Sequence, residues 1–175
     1  MWLKKGQLKW LLLSVVVIIV DQISKWLALQ FLQLHQPVNV FPGFNWMLAF
    51  NTGAAFSFLG DAGGWQHYLF SAIALVVTAI LIRWMSQMTP EEKLSGIASG
   101  LIIGGAIGNL IDRLLQGKVT DFIDWYYGDY HWATFNLADS FILLGAFLFI
   151  VEALFIADKN KVVLETKAKA EAEHE

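Results

Sequence analysis

Four apolar runs, at about residues 10–30, 66–85, 94–113 and 137–157, dominate this chain. Each is near twenty residues long, the length a helix needs to cross the hydrocarbon core of a bilayer. Lipid offers no hydrogen bonds to a backbone, so a run of this kind must satisfy its own peptide groups and folds as a helix. The expectation is an all-α membrane protein with four transmembrane helices in one domain, residues 1–157, followed by a charged tail, 158–175. Composition agrees: 57% of the 175 residues are hydrophobic and only 15% are charged, too apolar for a soluble domain. A net charge of −3 argues against a nucleic-acid partner. The chain has no cysteine, which excludes disulfides, thiolate zinc sites and a cysteine nucleophile. Lys4, Lys5 and Lys9 ahead of the first run resemble the start of a signal peptide. The run is too long for one, no small-residue cleavage site follows, and it reads as a retained span.

Charge placement orients the spans. Lys4, Lys5 and Lys9 precede the first, Arg83 and Lys93 flank the loop between the second and third, and Lys159, Lys161, Lys167 and Lys169 follow the fourth. No Lys or Arg lies between Phe31 and Gln66. Positively charged loops stay in the cytoplasm, so both termini are expected there and the loops 31–65 and 114–136 outside.

In the first span Asp21 and Lys25 share a helix face, able to pair or to let Lys25 snorkel outward. In the outer loop Val38, Val40, Phe44, Trp46, Leu48 and Phe50 alternate with the residues between them, punctuated by Pro37, Pro42 and Gly43. That pattern predicts short strands within about 36–60, too small to bury themselves and therefore lying on lipid or on the spans. The segment ends in Asn51-Thr52-Gly53-Ala54-Ala55-Phe56, a small-residue turn that admits another backbone closely. Thr89-Pro90-Glu91-Glu92 reads as a cap, a first-position proline and acidic first-turn residues for the third span.

Within that span Gly96, Gly100, Gly104 and Gly108 recur every fourth residue with Gly105 beside them, a smooth stripe for close helix packing. Asn109, Asp112 and Arg113 follow at its outer end. Arg113 has three options: to pair with Asp112, to snorkel, or to hold a carboxylate or substrate carbonyl with its planar fork. In the next loop Asp121 has apolar neighbours, whereas Asp124 and Asp129 read as solvated. Trp125, Tyr126, Tyr127, Tyr130 and Trp132 suit the membrane interface. Asp139 lies one turn inside the fourth span with Asn136 on the same face, and Thr134 or Asn136 can cap the helix. A first-turn carboxylate suits the helix dipole, but an ionisable group inside a span also marks a candidate site.

Asp21, Lys25, Asn51, Asn109, Arg113, Asp121, Asn136 and Asp139 thus fall at one depth, the outer interface. A short loop joins Asp121 to Asp139, so the two carboxyls can meet. Close carboxyls share one proton and titrate as a unit. One then takes a proton from water while the other donates to a carbonyl oxygen, the chemistry of peptide hydrolysis. The four histidines are scattered without a His-Glu-x-x-His motif, which disfavours a zinc protease. Ser24 and Lys25 point to different helix faces, a poor serine–lysine dyad. The same acidic residues also suit a proton-coupled carrier, less readily because four spans show no inverted repeat, or a structural membrane partner with no chemistry.

Five blocks carry a family resemblance: Asp21-Gln-Ile-Ser-Lys25, Asn51-Thr-Gly-Ala-Ala-Phe56, Gly104-Gly-Ala-Ile-Gly-Asn-Leu-Ile-Asp-Arg113, Val119-Thr-Asp-Phe-Ile123 and Phe135-Asn-Leu-Ala-Asp-Ser140. In this order they resemble the signature blocks of bacterial lipoprotein signal peptidase (signal peptidase II), over about residues 10–157. The resemblance implies an aspartyl endopeptidase of the bacterial inner membrane that removes the signal peptide from diacylglyceryl-modified prolipoproteins, cleaving just before the lipidated cysteine. It implies catalytic roles for Asp121 and Asp139, and supporting roles for Asp21, Lys25, Asn51, Gly53, Gly105, Asn109, Arg113 and Asn136. It also implies four transmembrane helices with an outer β-cradle and a short interfacial helix, placed here near 122–130. No metal or cofactor is expected. The partners it implies are the lipid-modified substrate, membrane lipids and inhibitors of the globomycin type, acting on a monomer.

Overall fold

The computed structural model describes residues 6–53 and 64–172, the last of these, 156–172, as helical backbone only. Among the described residues four long helices form the bundle: α1, Leu11–Phe31, entered through a 3-10 turn at Leu8–Trp10; α2, Gln66–Gln87; α3, Lys93–Gln116; and α4, Leu137–Ala172. Each contains a stretch long and apolar enough to cross a membrane. Between them lie strands β1, Val38–Phe41; β2, Phe44–Asn51; β3, Val119–Tyr127; and β4, Tyr130–His131. The strands form one antiparallel sheet in the order β1-β2-β3-β4. The expected fold class, four spans and a small sheet, is what the chain adopts.

α3 is the central helix, packed against the other three. Its glycine stripe is the reason it can be. A Cβ on Gly104 would lie 2.6 Å from Cβ of Val17, and one on Gly108 would lie 2.5 Å from Oδ2 of Asp21. The stripe therefore sets the approach of α1 to α3, as its spacing predicts, through small residues that let backbones close up. Gly105 looks the other way, where a Cβ would collide with the carbonyl oxygen of Ala138 at the start of α4. Ser14 Oγ donates to the Gly100 carbonyl at 2.8 Å across the same seam. The opposite helix faces present Leu12, Ile19, Ile23, Leu75, Ile80 and Phe147 outward, the pattern of a bundle whose solvent is lipid.

The Thr89–Glu92 stretch departs from its expected role. α3 begins at Lys93 with no side-chain cap, and Glu92 instead accepts the Thr89 N–H at 2.7 Å. The four residues thus make a turn before the helix, because the reach-back of Glu92 satisfies a backbone donor outside it. At its far end α3 stops on Gly117, whose φ of +71° is the left-handed conformation that closes a helix, its N–H bonded to the Arg113 carbonyl at 3.0 Å.

The sheet covers the end of the bundle where α1 and α3 finish and α4 starts. Phe44, Phe122 and Ile123 pack on Ala28, with Leu32, Phe135 and Leu137 around them. The helix expected near 122–130 is not formed: those residues continue β3, turn at Gly128 and enter β4. Pairing decides this, since Phe44, Asn45 and Trp46 of β2 align with Trp125, Asp124 and Ile123. A β-branched and aromatic run beside an available strand edge gains more from cross-strand contacts than from helix formation. The last three residues of the Asn51–Phe56 block lie outside the described residues.

Candidate active site

Three elements deliver acidic groups to the sheet end of the bundle. β3 carries Asp121, α3 carries Asp112, and the first turn of α4 carries Asp139. The link between β3 and α4 is short and doubly fixed. The Ile123 N–H donates to the Phe135 carbonyl at 2.8 Å, and the Phe135 N–H returns to the Ile123 carbonyl at 3.1 Å. This antiparallel bridge folds residues 121 and 139 back toward each other.

Asn136 then caps α4. Its Oδ1 accepts the Asp139 N–H at 3.0 Å while Asp139 Oδ2 accepts the Asn136 N–H at 3.3 Å, a reciprocal capping box. The Nδ2 of the same side chain donates to Asp121 Oδ1 at 2.6 Å and to Asn109 Oδ1 at 3.1 Å. Asn109 Nδ2 completes the ring with a 2.7 Å bond to Asp139 Oδ1. One amide, that of Asn136, thus bonds the Asp121 side chain and the Asp139 backbone at once. Asp121 is almost fully buried, and burial first, then the neighbouring Asp139 charge, push its carboxyl up to about 7. The hydrogen bonds from Asn136 and Asn51 act in the opposite direction.

Behind this ring lies an ion cluster. Lys25, only 3% exposed, places Nζ 2.9 Å from Asp21 and 3.1 Å from Asp112, and donates to Asn109 Oδ1 at 2.9 Å. The i,i+4 pair expected of Asp21 and Lys25 is therefore present, but Lys25 turns inward and does not snorkel. Two carboxylates compensate its buried charge, and a lone cation at this depth would be costly. Asp21 Oδ1 also accepts the Ala138 N–H at 3.0 Å, so a carboxylate on α1 satisfies the positive end of α4.

Asp112 is the member that sequence reasoning missed. It was one option for Arg113, yet it accepts from Lys25, from Gln22 Nε2 at 3.0 Å and from the Thr120 N–H at 3.0 Å. That last bond anchors β3 one residue before Asp121. The available signal was a third carboxylate inside a span, which required a partner of its own.

Arg113 instead reaches the turn after β2. Its Nη2 donates to the Gly53 carbonyl at 3.2 Å, and its guanidinium lies 5.4 Å from the Phe70 ring centroid. Asn51 Oδ1 accepts the Gly53 N–H at 2.9 Å and holds that turn. Asn51, Asn109, Arg113 and Asp139 line one side of a cavity of about 850 Å³. The rest of its lining is mostly apolar, from Val119, Trp132 and Phe135 down α4 through Ile142, Leu143 and Phe147, with Thr134 and Ser140 among them. Of the sequence-selected residues, Asn51, Asn109, Arg113 and Asp139 line the cavity. Asp121 and Asn136 join them through the amide ring, Asp21 and Lys25 lie behind it, Gly53 bonds Arg113, and Gly105 acts one layer away by admitting α4. Asp129 is exposed as expected, whereas Asp124, read as solvated, is fully buried against Asn45 and His131.

The comparisons with known proteins cover the stretch of chain that carries these residues. The family model described as signal peptidase (SPase) II matches residues 13–155. A lipoprotein signal peptidase of Coxiella burnetii is 54% identical over 145 residues, 83% of this chain and 89% of the relative. That of Acinetobacter baylyi is 46% identical over 166 residues, 95% of this chain and 89% of the relative. Among solved structures, a bacterial membrane enzyme determined by the in meso method at 2.3 Å superposes with a TM-score of 0.78 at 30% identity, covering 92% of this chain and 96% of that one.

Proposed function

The chain belongs to the signal peptidase II family, and from that premise we propose that it is an aspartic endopeptidase in which Asp121 and Asp139 activate the attacking water. Its coarser identity is that of a multi-pass membrane protease that cleaves lipoprotein signal peptides. The observation that carries the finer reading is the Asn136 amide, which ties Asp121 to the first turn of α4, where Asp139 lines the cavity.

In this reading the pair holds one proton between two carboxyls. Asp121, with its carboxyl raised to about 7, keeps it in the resting enzyme. Asp139 accepts from Asn109 and from the Asn136 N–H, faces the cavity and takes the proton of the water. Asp121 donates to the scissile carbonyl oxygen as the tetrahedral carbon forms, and the roles reverse when the amine leaves. Arg113 and Asn51 lie on the cavity wall where peptide carbonyls would pass. The apolar remainder of the cavity, opening along α4, accepts a substrate still anchored in the bilayer and cleaved just before its diacylglyceryl-modified cysteine. The charge distribution supports an inner-membrane orientation with both termini in the cytoplasm and the site at the outer face.

The test is cleavage of a diacylglyceryl-modified prolipoprotein in detergent by the wild type, Asp121→Asn, Asp139→Asn and Asp129→Asn, the last an exposed control. Loss of cleavage in the first two variants alone, with all four folded, supports the dyad. Near-normal turnover by either carboxamide variant refutes it.

A further inference from the structure

Asp124 belongs to neither the ion cluster nor the carboxyl pair, yet it is fully buried. Its Oδ2 accepts from Asn45 Nδ2 at 2.8 Å, and His131 Nδ1 lies 2.8 Å from Oδ1 and 3.0 Å from Oδ2. The contact is backed on two sides. The His131 ring stacks on Tyr126 at 5.3 Å, and Asn39 Nδ2 bonds both Asn45 Oδ1 at 3.1 Å and the Tyr126 hydroxyl at 3.0 Å. Asn45 of β2 and His131 of β4 therefore meet on one carboxylate of β3, backed by Asn39 of β1 and Tyr126 of β3.

The place of this cluster in the chain gives it a consequence for the reaction. β4 has only two residues, paired as Tyr126 with His131 and Tyr127 with Tyr130, and a ladder that short has little stability of its own. Immediately after it, Trp132, Ala133, Thr134 and Phe135 form one wall of the active-site cavity. Attachments at both ends hold that wall. One is the His131–Asp124 contact with the adjacent Trp132 N–H bond to the Trp125 carbonyl at 2.7 Å; the other is the Phe135–Ile123 bridge. The catalytic carboxyls themselves are held differently, by Asn109 and Asn136.

We propose that Asp124 and His131 are positioning residues: they clasp the β4 strap to the sheet, set the position of the 132–135 cavity wall, and so govern how tightly lipid-modified prolipoprotein is held, with little influence on bond cleavage. The proposal rests on the peptidase reading above. Release of the His131 side chain removes one hold on the β4 end of the wall and leaves that end to the short ladder and the Trp132–Trp125 bond, whereas Phe135 and the Asn136 cap stay in place. The consequence falls on KM.

The experiment measures kcat and KM for a diacylglyceryl-modified prolipoprotein with the wild type, Asp124→Ala, His131→Ala and the double variant, all in detergent. Each single substitution is expected to raise KM about three- to tenfold, the equivalent of one lost hydrogen bond, with kcat within about twofold. The double variant is expected to match the worse single one, because both sever the same contact. His131→Gln, which keeps a donor for Asp124, is expected to restore part of the affinity. Unchanged KM, a fall in kcat alone, or effects that multiply in the double variant would overturn the clasp. Should the alanine variants not fold, His131→Phe decides it, because it keeps a ring on Tyr126 and loses the donor to Asp124; wild-type KM in that variant would refute the clasp. Failure of the wild type to cleave would instead sink the peptidase reading.

Discussion

Replacing Asp121 by asparagine should make the protein more stable in alkali and useless as a catalyst. The Asp121 carboxyl is raised from its ordinary value of 3.8 to about 7 by burial and by the charge of Asp139. At 1.36 kcal/mol per pH unit, that difference amounts to an ionisation cost on the order of 4 kcal/mol in the native state. The sign follows from proton counting. Between pH 4 and 7 the native protein keeps a proton that the unfolded chain releases, so this group lowers stability progressively as pH rises through the window. Above pH 7 the full cost is present; below pH 4 both states are protonated and it vanishes. Asp121→Asn retains the shape and an acceptor for Asn136 Nδ2 but never ionises. Its stability relative to wild type should therefore rise from near zero at pH 4 to as much as about 4 kcal/mol at pH 8.5. Thermal unfolding in detergent, followed by tryptophan fluorescence at both pH values, reads this as a midpoint gap that widens by up to about 8–16 °C. A gap that does not change with pH, or narrows toward alkali, would refute the buried-carboxyl argument.

Four further outcomes follow from the same geometry. In the wild type, kcat/KM should decline on the alkaline side with an apparent value near 7, as the shared proton is lost; a flat profile to pH 9 would exclude Asp121 as the proton donor. Lys25→Met leaves Asp21 and Asp112 buried without their cation and should cost about 3–5 kcal/mol in thermal unfolding, so a variant of wild-type stability would contradict the ion cluster. Gly108→Ala drives a methyl to 2.5 Å from Asp21 Oδ2 and should cost about 1–3 kcal/mol as α1 is displaced, which the same unfolding assay measures. Asn136→Ala removes the α4 cap, worth about 0.5–2 kcal/mol. It should also lower turnover of lipid-modified prolipoprotein roughly a hundredfold, the scale of a misplaced reacting group; a folded variant with normal kcat would reduce Asn136 to a cap.

The sequence by itself determined the parts of this protein that lipid dictates. A bilayer fixes how long an apolar run must be and forbids unpaired backbone within it, so the apolar runs begin within about a residue of the helix starts, whereas α4 continues as helix to Ala172, past the expected end at 157. The Gly96–Gly108 stripe was equally legible, because close helix approach depends on the small size of residues at one local spacing. That Asp21, Asn109 and Asp139 share one end of the bundle followed from counting residues along those spans. Partner choice did not follow, since it is settled by side chains far apart in the chain. Asp112 and Arg113 are neighbours in sequence, yet the first serves Lys25 and β3 while the second holds Gly53. The 122–130 segment became strand because β2, some eighty residues earlier, offered an edge. The same pairing drew Asp124 out of solvent and onto Asn45 and His131. Local pattern carries what a residue must avoid in lipid; only the assembled bundle and sheet decide which polar groups find each other, because a buried charge or amide takes whichever partner the packing brings within hydrogen-bond reach.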